Sequence, residues 1–400
     1  MTQFPNQLMP QPMTDVFQVS TALKNLLEAQ GFSVAACLDL QSQNLDFDMM
    51  ALEKWLAQGA HAQMHFMQEN KQARHDSTFI LAHARTAVSV LVPYATGERI
   101  RVGKGSPQGA SYTSAIEPLP ESLANRQLVA RYARGKDYHK VIKNHFSAAL
   151  EAFALKAPQS FTYRVVVDSI PFLDRAHARL AGLGFIGKNT MLIRPGLGSY
   201  FFIATALLSL TPQELCEPFG AAQNGETSNT SRANPIAKLD CGACQKCMDA
   251  CPTQALPRPY FLDANKCLSY LSIEHRDVIS EQYLPFFADT LYGCDICQQA
   301  CPYNYSTLDL VRIKELRSVH PPLTQISVLK VARMSQQNYE EWFGGTAMTR
   351  AKYSGLVRNA LYHLYAIQSP ELLSVLTART ADPELLIAKT VAQLQRLLDA

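Results

Sequence analysis

The sequence predicts an α/β or α+β region, then a compact cysteine-rich region, then an all-helical region. Strand-like and helix-like segments alternate up to about residue 216, seven cysteines fall in two short runs, and the periodic segments after Pro322 are helical. We expect a loose tail over 1–15, the mixed domain over 16–216, a linker over 217–237, the cysteine-rich domain over 238–310 and the helical domain over 311–400.

Hydrophobic periodicity predicts the elements of the mixed domain. Apolar residues recur at helical spacing in some segments and form short β-branched runs in others. Helices are expected over 17–30, 48–70, 172–181 and from His139 to about 155, and strands over 87–93, 163–167 and 199–210. The segment 96–124 holds Gly, Ser and Pro and is expected to be a loop.

The last region contains four or five helical segments. Paired antiparallel helices of this length resemble a HEAT-type repeat. They are predicted over 323–334, 338–343, 351–367, 372–378 and 383–398.

The cysteine spacing is the most specific chemical signal in the chain. Cys241, Cys244, Cys247 and Cys251 are separated by two, two and three residues and followed by proline, which is the spacing of bacterial two-cluster ferredoxins. In that arrangement three thiolates hold one cluster and the fourth reaches the other. The downstream run supplies three more cysteines, Cys294, Cys297 and Cys301, and again ends in proline.

Two [4Fe–4S] clusters need eight ligands, and the two runs supply seven. Cys267 is the one cysteine between the runs, so it is the predicted eighth ligand. The first cluster would use Cys241, Cys244, Cys247 and Cys301, and the second Cys251, Cys267, Cys294 and Cys297. Zinc knuckles and disulfides are the alternatives, but zinc sites usually show separated cysteine pairs and disulfides need an oxidising compartment. Cys37 and Cys216 are expected to be buried thiols.

Charge distribution suggests a polyanionic partner. The net charge is only +3, but 98–143 holds nine Lys/Arg against four Asp/Glu, and 312–358 holds eight against three. Ordinary solvated faces are the alternative. No secretory or twin-arginine signal and no apolar run of membrane-spanning length is recognised, so we expect a cytoplasmic protein.

Three further groups are candidates for chemistry. Asp168 ends a predicted strand and would serve as a general acid or as a helix N-cap. The glycines of 182–187 match a dinucleotide fingerprint formally but follow a helix, so close packing against a large ligand, with Lys188 and Asn189 as donors, or a simple turn is expected instead. His139, beside Tyr138, would be a ligand, an acid–base group or neither.

The combination resembles the epoxyqueuosine reductase family over residues 15–400. The cysteine frame alone is shared with many iron–sulfur proteins. The other matching segments are Trp55-Leu-x-x-Gly59 with Met64, Met67 and Arg74, then Ala130-Arg-Tyr-Ala-x-Gly-x-Asp-Tyr-His139, Val167-Asp-Ser-x-Pro171, Ala181-Gly-Leu-Gly-x-Ile-Gly-Lys-Asn-Thr190, Cys267-x-Ser269-Tyr270, Gly293-Cys-Asp-Ile-Cys297 and Arg358-Asn359.

The resemblance implies an enzyme that removes the epoxide oxygen from a modified 7-deazaguanine at the tRNA wobble position. It implies a cobalamin in the N-terminal domain beside the two clusters, although no Asp-x-His-x-x-Gly cobalt-ligating motif is present. Asp168 matches the family's proton donor. The other cobalamin contacts implied are Arg74, Tyr138, His139, Lys188, Asn189, Thr190, Ser269, Cys294 and Asp295.

By the same resemblance, the basic segment 312–358 would grip tRNA through backbone charge. The 96–124 and 217–237 segments look longer than is usual in the family. We expect a monomer that takes electrons from a donor the sequence does not identify. The alternatives are a corrinoid iron–sulfur reductive dehalogenase, which would usually carry a twin-arginine leader, and an electron-transfer ferredoxin fusion, which would need neither corrinoid nor Asp168.

Overall fold

The computed structural model describes residues 16–17, 19–94, 128–216, 239–305 and 311–399. The tail, the 96–124 loop and the 217–237 linker lie outside these residues. The described residues divide into two compact units. The first unit draws on 1–58, 66–93 and 142–244, and the second on 59–65, 94–141 and 245–400.

The first unit is built on an antiparallel sheet. Its strands lie in the order β1-β2-β3-β7-β4, and β5 and β6 form a separate hairpin. The strands of both sheets are β1 (Val16–Phe17), β2 (Val34–Asp39), β3 (Thr86–Pro93), β4 (Tyr163–Val166), β5 (Phe185–Ile186), β6 (Leu192–Ile193) and β7 (Phe201–Leu208).

Strand β3 pairs with β7 along its whole length, from Thr86 opposite Leu208 to Pro93 opposite Phe201. All eight residues of β3 are buried, which explains why its sequence is a continuous apolar run rather than an alternating one.

The mixed helix and strand content confirms the α+β prediction, and the α/β alternative is wrong. Every strand pairing among the described residues of these sheets is antiparallel, so there is no crossover unit with a parallel sheet here. Strand β2 was not predicted, because its short run around Cys37 is followed by polar residues.

The helices of the first region are shorter than predicted. They are α1 (Thr21–Ala29), α2 (Asp46–Ala57), α3 (Lys71–His75), α4 (Tyr138–Ala154), α5 (Asp174–Leu180) and α6 (Pro212–Cys216). The helix expected over 48–70 ends at Ala57 because Gly59, with φ +65°, turns the chain out of the helix. A 3₁₀ turn, His65–Met67, and α3 follow.

Helix α5 closes the core of the first unit. Its apolar residues Ala176, Ala178 and Leu180 are buried with Leu38 of β2 and Leu91 of β3. This packing fixes the segment between β4 and α5, which carries Asp168.

The second unit contains the cysteine-bearing helices and the C-terminal helices. They are α7 (Lys246–Asp249), α8 (Leu268–Ile273), α9 (Ile296–Gln299), α10 (Lys314–Arg317), α11 (Pro321–Gln325), α12 (Val328–Arg333), α13 (Gln336–Phe343), α14 (Lys352–Ala366), α15 (Leu372–Ala378) and α16 (Leu385–Leu398). A nine-residue 3₁₀ helix, Glu281–Asp289, precedes α9. Among the described residues, no helix is long and apolar enough to cross a membrane.

Helix α14 is the centre of the second unit. It packs against α12, α16 and the 3₁₀ helix of 281–289, and its residues 355–364 are all buried. A helix that is buried on every side belongs to a core. The cysteine-bearing helices and the C-terminal helices therefore cluster as one unit, which differs from the predicted boundary between 310 and 311.

Arg358 and Asn359 of α14 tie this core together. The Arg358 guanidinium, only 1% exposed, donates to the carbonyl oxygens of Leu271 (2.6 Å), His275 (2.8 Å) and Asp277 (2.8 Å). The Asn359 amide donates to the carbonyl oxygens of Ser272 (2.7 Å) and Leu291 (2.8 Å).

The same network continues toward a cysteine. The backbone N–H of Gly293 donates to the Ser272 hydroxyl at 2.9 Å, and Cys294 is the next residue. Helix α14 thus holds the segments that carry Cys267 and Cys294.

We expect Arg358→Ala to lower the free energy of unfolding by about 3 kcal/mol or more, because several buried carbonyls lose a charged donor. Chemical denaturation followed by circular dichroism measures this loss. The matched control, exposed Arg312→Ala, should stay within about 0.5 kcal/mol of the native chain. Equal stability of the two variants would contradict a structural role for Arg358.

Candidate functional site

Asp168 lies in the first unit, just after edge strand β4. Its side chain is exposed, while the preceding Val167 is buried. Its backbone has φ +47°, a left-handed conformation that costs a non-glycine residue about 1–3 kcal/mol and that clusters at functional sites.

The alternative role of Asp168 as an N-cap is wrong. Helix α5 begins after Leu173, and its N-cap has no side-chain hydrogen bond. Ligands commonly lie at the carboxyl ends of parallel strands, but β4 pairs with β7 in an antiparallel ladder, so its position after β4 does not by itself mark Asp168 as a ligand site. The support for Asp168 therefore comes from its backbone and its neighbours.

One of those neighbours is a second carboxyl, which the sequence analysis missed. Burial, and then the charge of Asp168, raises the pKa of Asp174 to about 8, so this carboxyl holds a proton at neutral pH. Its Oδ1 is buried and has no hydrogen-bond partner among the described residues. In the sequence, Asp174 looks like an ordinary acidic residue in the first turn of a helix. Its raised pKa depends on burial and on the nearby Asp168, and the sequence alone shows neither.

Arg74 is a buried cation of the same unit. It is 6% exposed, its Nη2 donates to the Phe66 carbonyl at 3.1 Å, and its Nε has no partner among the described residues. Burial lowers the pKa of Arg74, and the charge of Asp174 opposes this effect. A buried guanidinium with an unused N–H suits an amide or phosphate oxygen of a ligand.

The glycine-rich segment forms the β5–β6 hairpin, and this excludes a dinucleotide-binding fingerprint. That fingerprint needs a strand, a turn and then a helix, whereas here α5 comes first and β5 begins inside the motif. Close packing requires the glycines. A Cβ on Gly187 would lie 2.4 Å from the Ile193 side chain, and one on Gly184 would lie 2.5 Å from the Ile193 carbonyl oxygen.

The hairpin loop carries the other predicted contacts. Asn189 is 4% exposed, and its Nδ2 has no partner among the described residues. Thr190 has φ +65°, and Arg175 Nη1 donates to its carbonyl oxygen at 2.5 Å. Asn189 therefore presents a second unused buried donor in the first unit.

Lys188 contacts the first cysteine run. Its Nζ donates to the carbonyl oxygens of Gly242 (2.6 Å) and Cys244 (2.8 Å), and its backbone N–H donates to Cys241 Sγ (3.4 Å). The ammonium thus contacts the cysteine loop, and its role as a cobalamin contact stays a prediction.

None of the nine cysteines whose side chains the structure describes is in a disulfide bond. Cys37 is buried in β2, as predicted, and the side chain of Cys216 lies outside the described set. No three His, Cys, Asp or Glu side chains in the described ranges are close enough to share one metal ion. A cubane cluster instead occupies the space between its thiolates.

Four cysteines of the second unit lie within electrostatic reach of one another. Burial raises the pKa of the Cys294 thiol to about 12, with smaller contributions from Cys267 and Cys251, and it raises the pKa of Cys297 well above its usual range. Cys294 and Cys267 also add to the shift at Cys297. These four are the predicted ligands of the second cluster.

Backbone N–H groups already point at these sulfurs. Ala255 N–H donates to Cys251 Sγ at 3.3 Å. Backbone donors at Ser269 and Tyr270 favour the thiolate of Cys267, and one at Ile296 favours that of Cys294. Such N–H···S bonds are how proteins stabilise iron–sulfur clusters.

The remaining predicted contacts lie in the second unit. Asp295, 8% exposed, accepts from the Arg131 backbone N–H at 2.8 Å. Tyr138 stacks on His139 with ring centroids 3.9 Å apart, and His139 Nδ1 lies 2.8 Å from Asp137. Ser269, half-buried, lies in the first turn of α8.

The basic segment 312–358 is only partly available to a polyanion. Arg358 is buried, and Arg350 is paired with Glu274 at 2.6 Å. Besides Arg350, which is exposed but paired, the exposed cations of the segment are Arg312, Lys314, Arg317, Lys330, Arg333 and Lys352. Most of the other basic segment, 98–143, lies outside the described residues.

Two family models match the chain. One, described as a 4Fe-4S double cluster binding domain, matches residues 240–304. The other, described as Epoxyqueuosine reductase QueG, DUF1730, matches residues 74–169. The first spans all eight predicted cluster ligands, and the second spans Arg74 to Asp168.

Full-length relatives give the same result. The chain is 30% identical over 332 residues to an epoxyqueuosine reductase of Cellulophaga algicola, covering 83% of this chain and 94% of the relative. It is 28% identical to the Pseudomonas aeruginosa epoxyqueuosine reductase, covering 96% and 97%. A crystal structure of an epoxyqueuosine reductase with a tRNA-Tyr epoxyqueuosine-modified stem loop is 25% identical, with a TM-score of 0.73 over 93% of this chain and 88% of that one.

The raised pKa of Asp174 can be tested through the pH dependence of stability. Between pH 3.8 and about 8 the folded chain keeps a proton on Asp174 that the unfolded chain has lost, so this group reduces stability progressively as pH rises. Asp174→Asn stays neutral throughout.

We therefore expect the melting temperature of Asp174→Asn, relative to the native chain, to increase as pH rises from about 5 to about 8. The control, exposed Asp289→Asn, should show a constant difference. A constant difference for Asp174→Asn as well would show that the carboxyl is ionised in the folded chain.

Proposed function

We infer that the chain, which belongs to the epoxyqueuosine reductase family, reduces epoxyqueuosine to queuosine in tRNA. The observation that carries this proposal is the match to epoxyqueuosine reductases along nearly the whole chain. The relatives are named for this activity, which supports it over the dehalogenase and electron-carrier alternatives. The reaction consumes two electrons and two protons, and the epoxide oxygen leaves as water.

The two-cluster match supports a pair of iron–sulfur clusters. We propose Cys241, Cys244, Cys247 and Cys301 as ligands of the first cluster and Cys251, Cys267, Cys294 and Cys297 as ligands of the second. The spacing of the cysteines, the absence of disulfides among the described ones and the backbone N–H donors support this assignment. Thiols persist in a reducing compartment, which favours the cytoplasm.

We propose that Arg74, Asn189 and Thr190 contribute cobalamin contacts; all three lie in the predicted 16–216 domain and in the first unit. The unused buried N–H groups of Arg74 and Asn189 suit the amide side chains of a corrinoid, so the residues fit the group. When bound, cobalamin supplies a low-valent cobalt that can break a carbon–oxygen bond. Thr190, in its left-handed conformation, keeps the loop of Asn189 in place.

Asp168 is the proposed proton donor to the leaving oxygen. Its exposed carboxyl is accessible to a substrate, and its left-handed backbone is of the kind that clusters at functional sites. Asp174 is held protonated beside it and places no second full negative charge near the departing oxygen.

The exposed cations between Arg312 and Lys352 are the proposed contacts to the tRNA backbone. Arg358 has no part in this surface, since its side chain is buried. The electron donor is a separate protein or reductant.

We expect Asp168→Asn to retain its iron and its corrinoid affinity and to lose turnover by about 10²-fold or more, because a general acid contributes about that factor. Queuosine and epoxyqueuosine in digested tRNA, separated by liquid chromatography and mass spectrometry, measure the loss. Asp289→Asn should turn over normally. Normal turnover by Asp168→Asn would remove Asp168 from the mechanism.

Cys267→Ala tests the ligand assignment. We expect iron to fall from about eight to about four atoms per chain, because only the second cluster loses a ligand. Cys37→Ala, which removes a buried thiol from the sheet, should keep the full iron content. Full iron in Cys267→Ala would place the eighth ligand elsewhere.

A further inference from the structure

Lys188 makes an unusual set of contacts for a surface-proximal lysine. One residue reaches both ends of the turn that begins at Cys241: its Nζ donates to Gly242 O at 2.6 Å and to Cys244 O at 2.8 Å. Its own backbone N–H donates to the Cys241 sulfur at 3.4 Å. The ammonium and the amide therefore act on the same four-residue turn, 241–244.

Among the described residues, few other hydrogen bonds hold this turn. Gly242 adopts φ +47°, the Cys244 N–H donates to Cys241 O at 3.0 Å, and the Gly242 N–H donates to Asp240 Oδ1 at 2.6 Å. Gly242 and Ala243 are exposed. A single internal hydrogen bond in an exposed turn does not fix two sulfur ligands, so the Lys188 contacts supply much of the constraint.

Lys188 is in turn held rigidly. The Gly187 and Thr190 backbones close the hairpin loop through bonds from Gly187 N to Met191 O and from Thr190 N to Gly187 O, both 2.8 Å. Arg175 anchors Thr190 from α5. The lysine is thus fixed on the hairpin packed beside α5, and it is half-buried.

The charge of Lys188 has an electronic consequence. Cluster reduction adds a negative charge, and a fixed positive charge or an N–H···S bond nearby stabilises that added charge. Because the ammonium is partly shielded from water, solvent and salt screen it less than a fully exposed lysine.

We propose that Lys188 is a positioning residue for the first iron–sulfur cluster, holding the Cys241–Cys244 turn and raising the cluster's reduction potential. This inference rests on the two-cluster assignment proposed above. It assigns to Lys188 a role in electron transfer instead of a role in corrinoid binding.

The test compares anaerobically prepared Lys188→Met, which removes the charge and the donors, with Lys188→Arg, which keeps both, and with Lys24→Met, a distant exposed lysine of α1. Iron per chain, iron release to a chelator and an EPR-monitored redox titration are measured on each. These measurements are made without turnover.

We expect Lys188→Met to release iron from one cluster faster than the native chain and to titrate that cluster at a lower potential. The expected change in the reduced-to-oxidised ratio is on the order of tenfold, or about 59 mV for a one-electron couple. Lys188→Arg should recover most of both properties, and Lys24→Met should match the native chain. Complete loss of one cluster in Lys188→Met, with retention in Lys188→Arg, would support the proposal equally.

Native potentials and native iron release in Lys188→Met would overturn the proposal. A native chain that fails to hold two clusters would instead overturn the two-cluster assignment, so the two failures are distinguishable. If Lys188→Met is not recovered folded, Lys188→Gln, which loses the charge but keeps one donor, replaces it and the same measurements decide.

Discussion

The pairing of β3 with β7 is the interaction on which the first unit depends. Two strands more than a hundred residues apart in the chain align over eight residue pairs and are almost completely buried. β2 attaches to one side of this pair and β4 to the other. The segment after β4 carries Asp168, and α5, which packs on the sheet, carries Asp174. The geometry of the proposed proton donor is therefore set by burial of apolar strands.

Sequence patterns predicted the features that depend on local periodicity or on covalent spacing. The cysteine frame, β3, β4, β7 and the helix over 372–378 needed only neighbours along the chain. Features that depend on distant partners were not predicted. The antiparallel order, the protonated state of Asp174 and the contacts of Lys188 all require knowing which residues fold against one another.

Arg358 is a second case in which the sequence did not show which residues pack together. Counted as a charge in a basic segment, it suggested a polyanion-binding face. In the structure it is a core residue, and burial lowers its pKa to about 10. Its donors satisfy the backbone carbonyls of Leu271, His275 and Asp277, which follow Cys267 along the chain. Counting charges along a sequence does not distinguish cations that face solvent from cations that donate hydrogen bonds to buried backbone carbonyls.

The position of Lys188 has a consequence for modular design. A designer looking for a transplantable electron-transfer cassette would cut the chain near the boundaries of the double-cluster segment, 240–304. That cut leaves behind the lysine and the hairpin amide that act on Cys241, because both come from a hairpin more than fifty residues upstream. The cassette would retain every proposed ligand but would lose the Lys188 hydrogen bonds to the turn that carries Cys241 and Cys244. The boundary of sequence homology is therefore not the boundary of the redox unit.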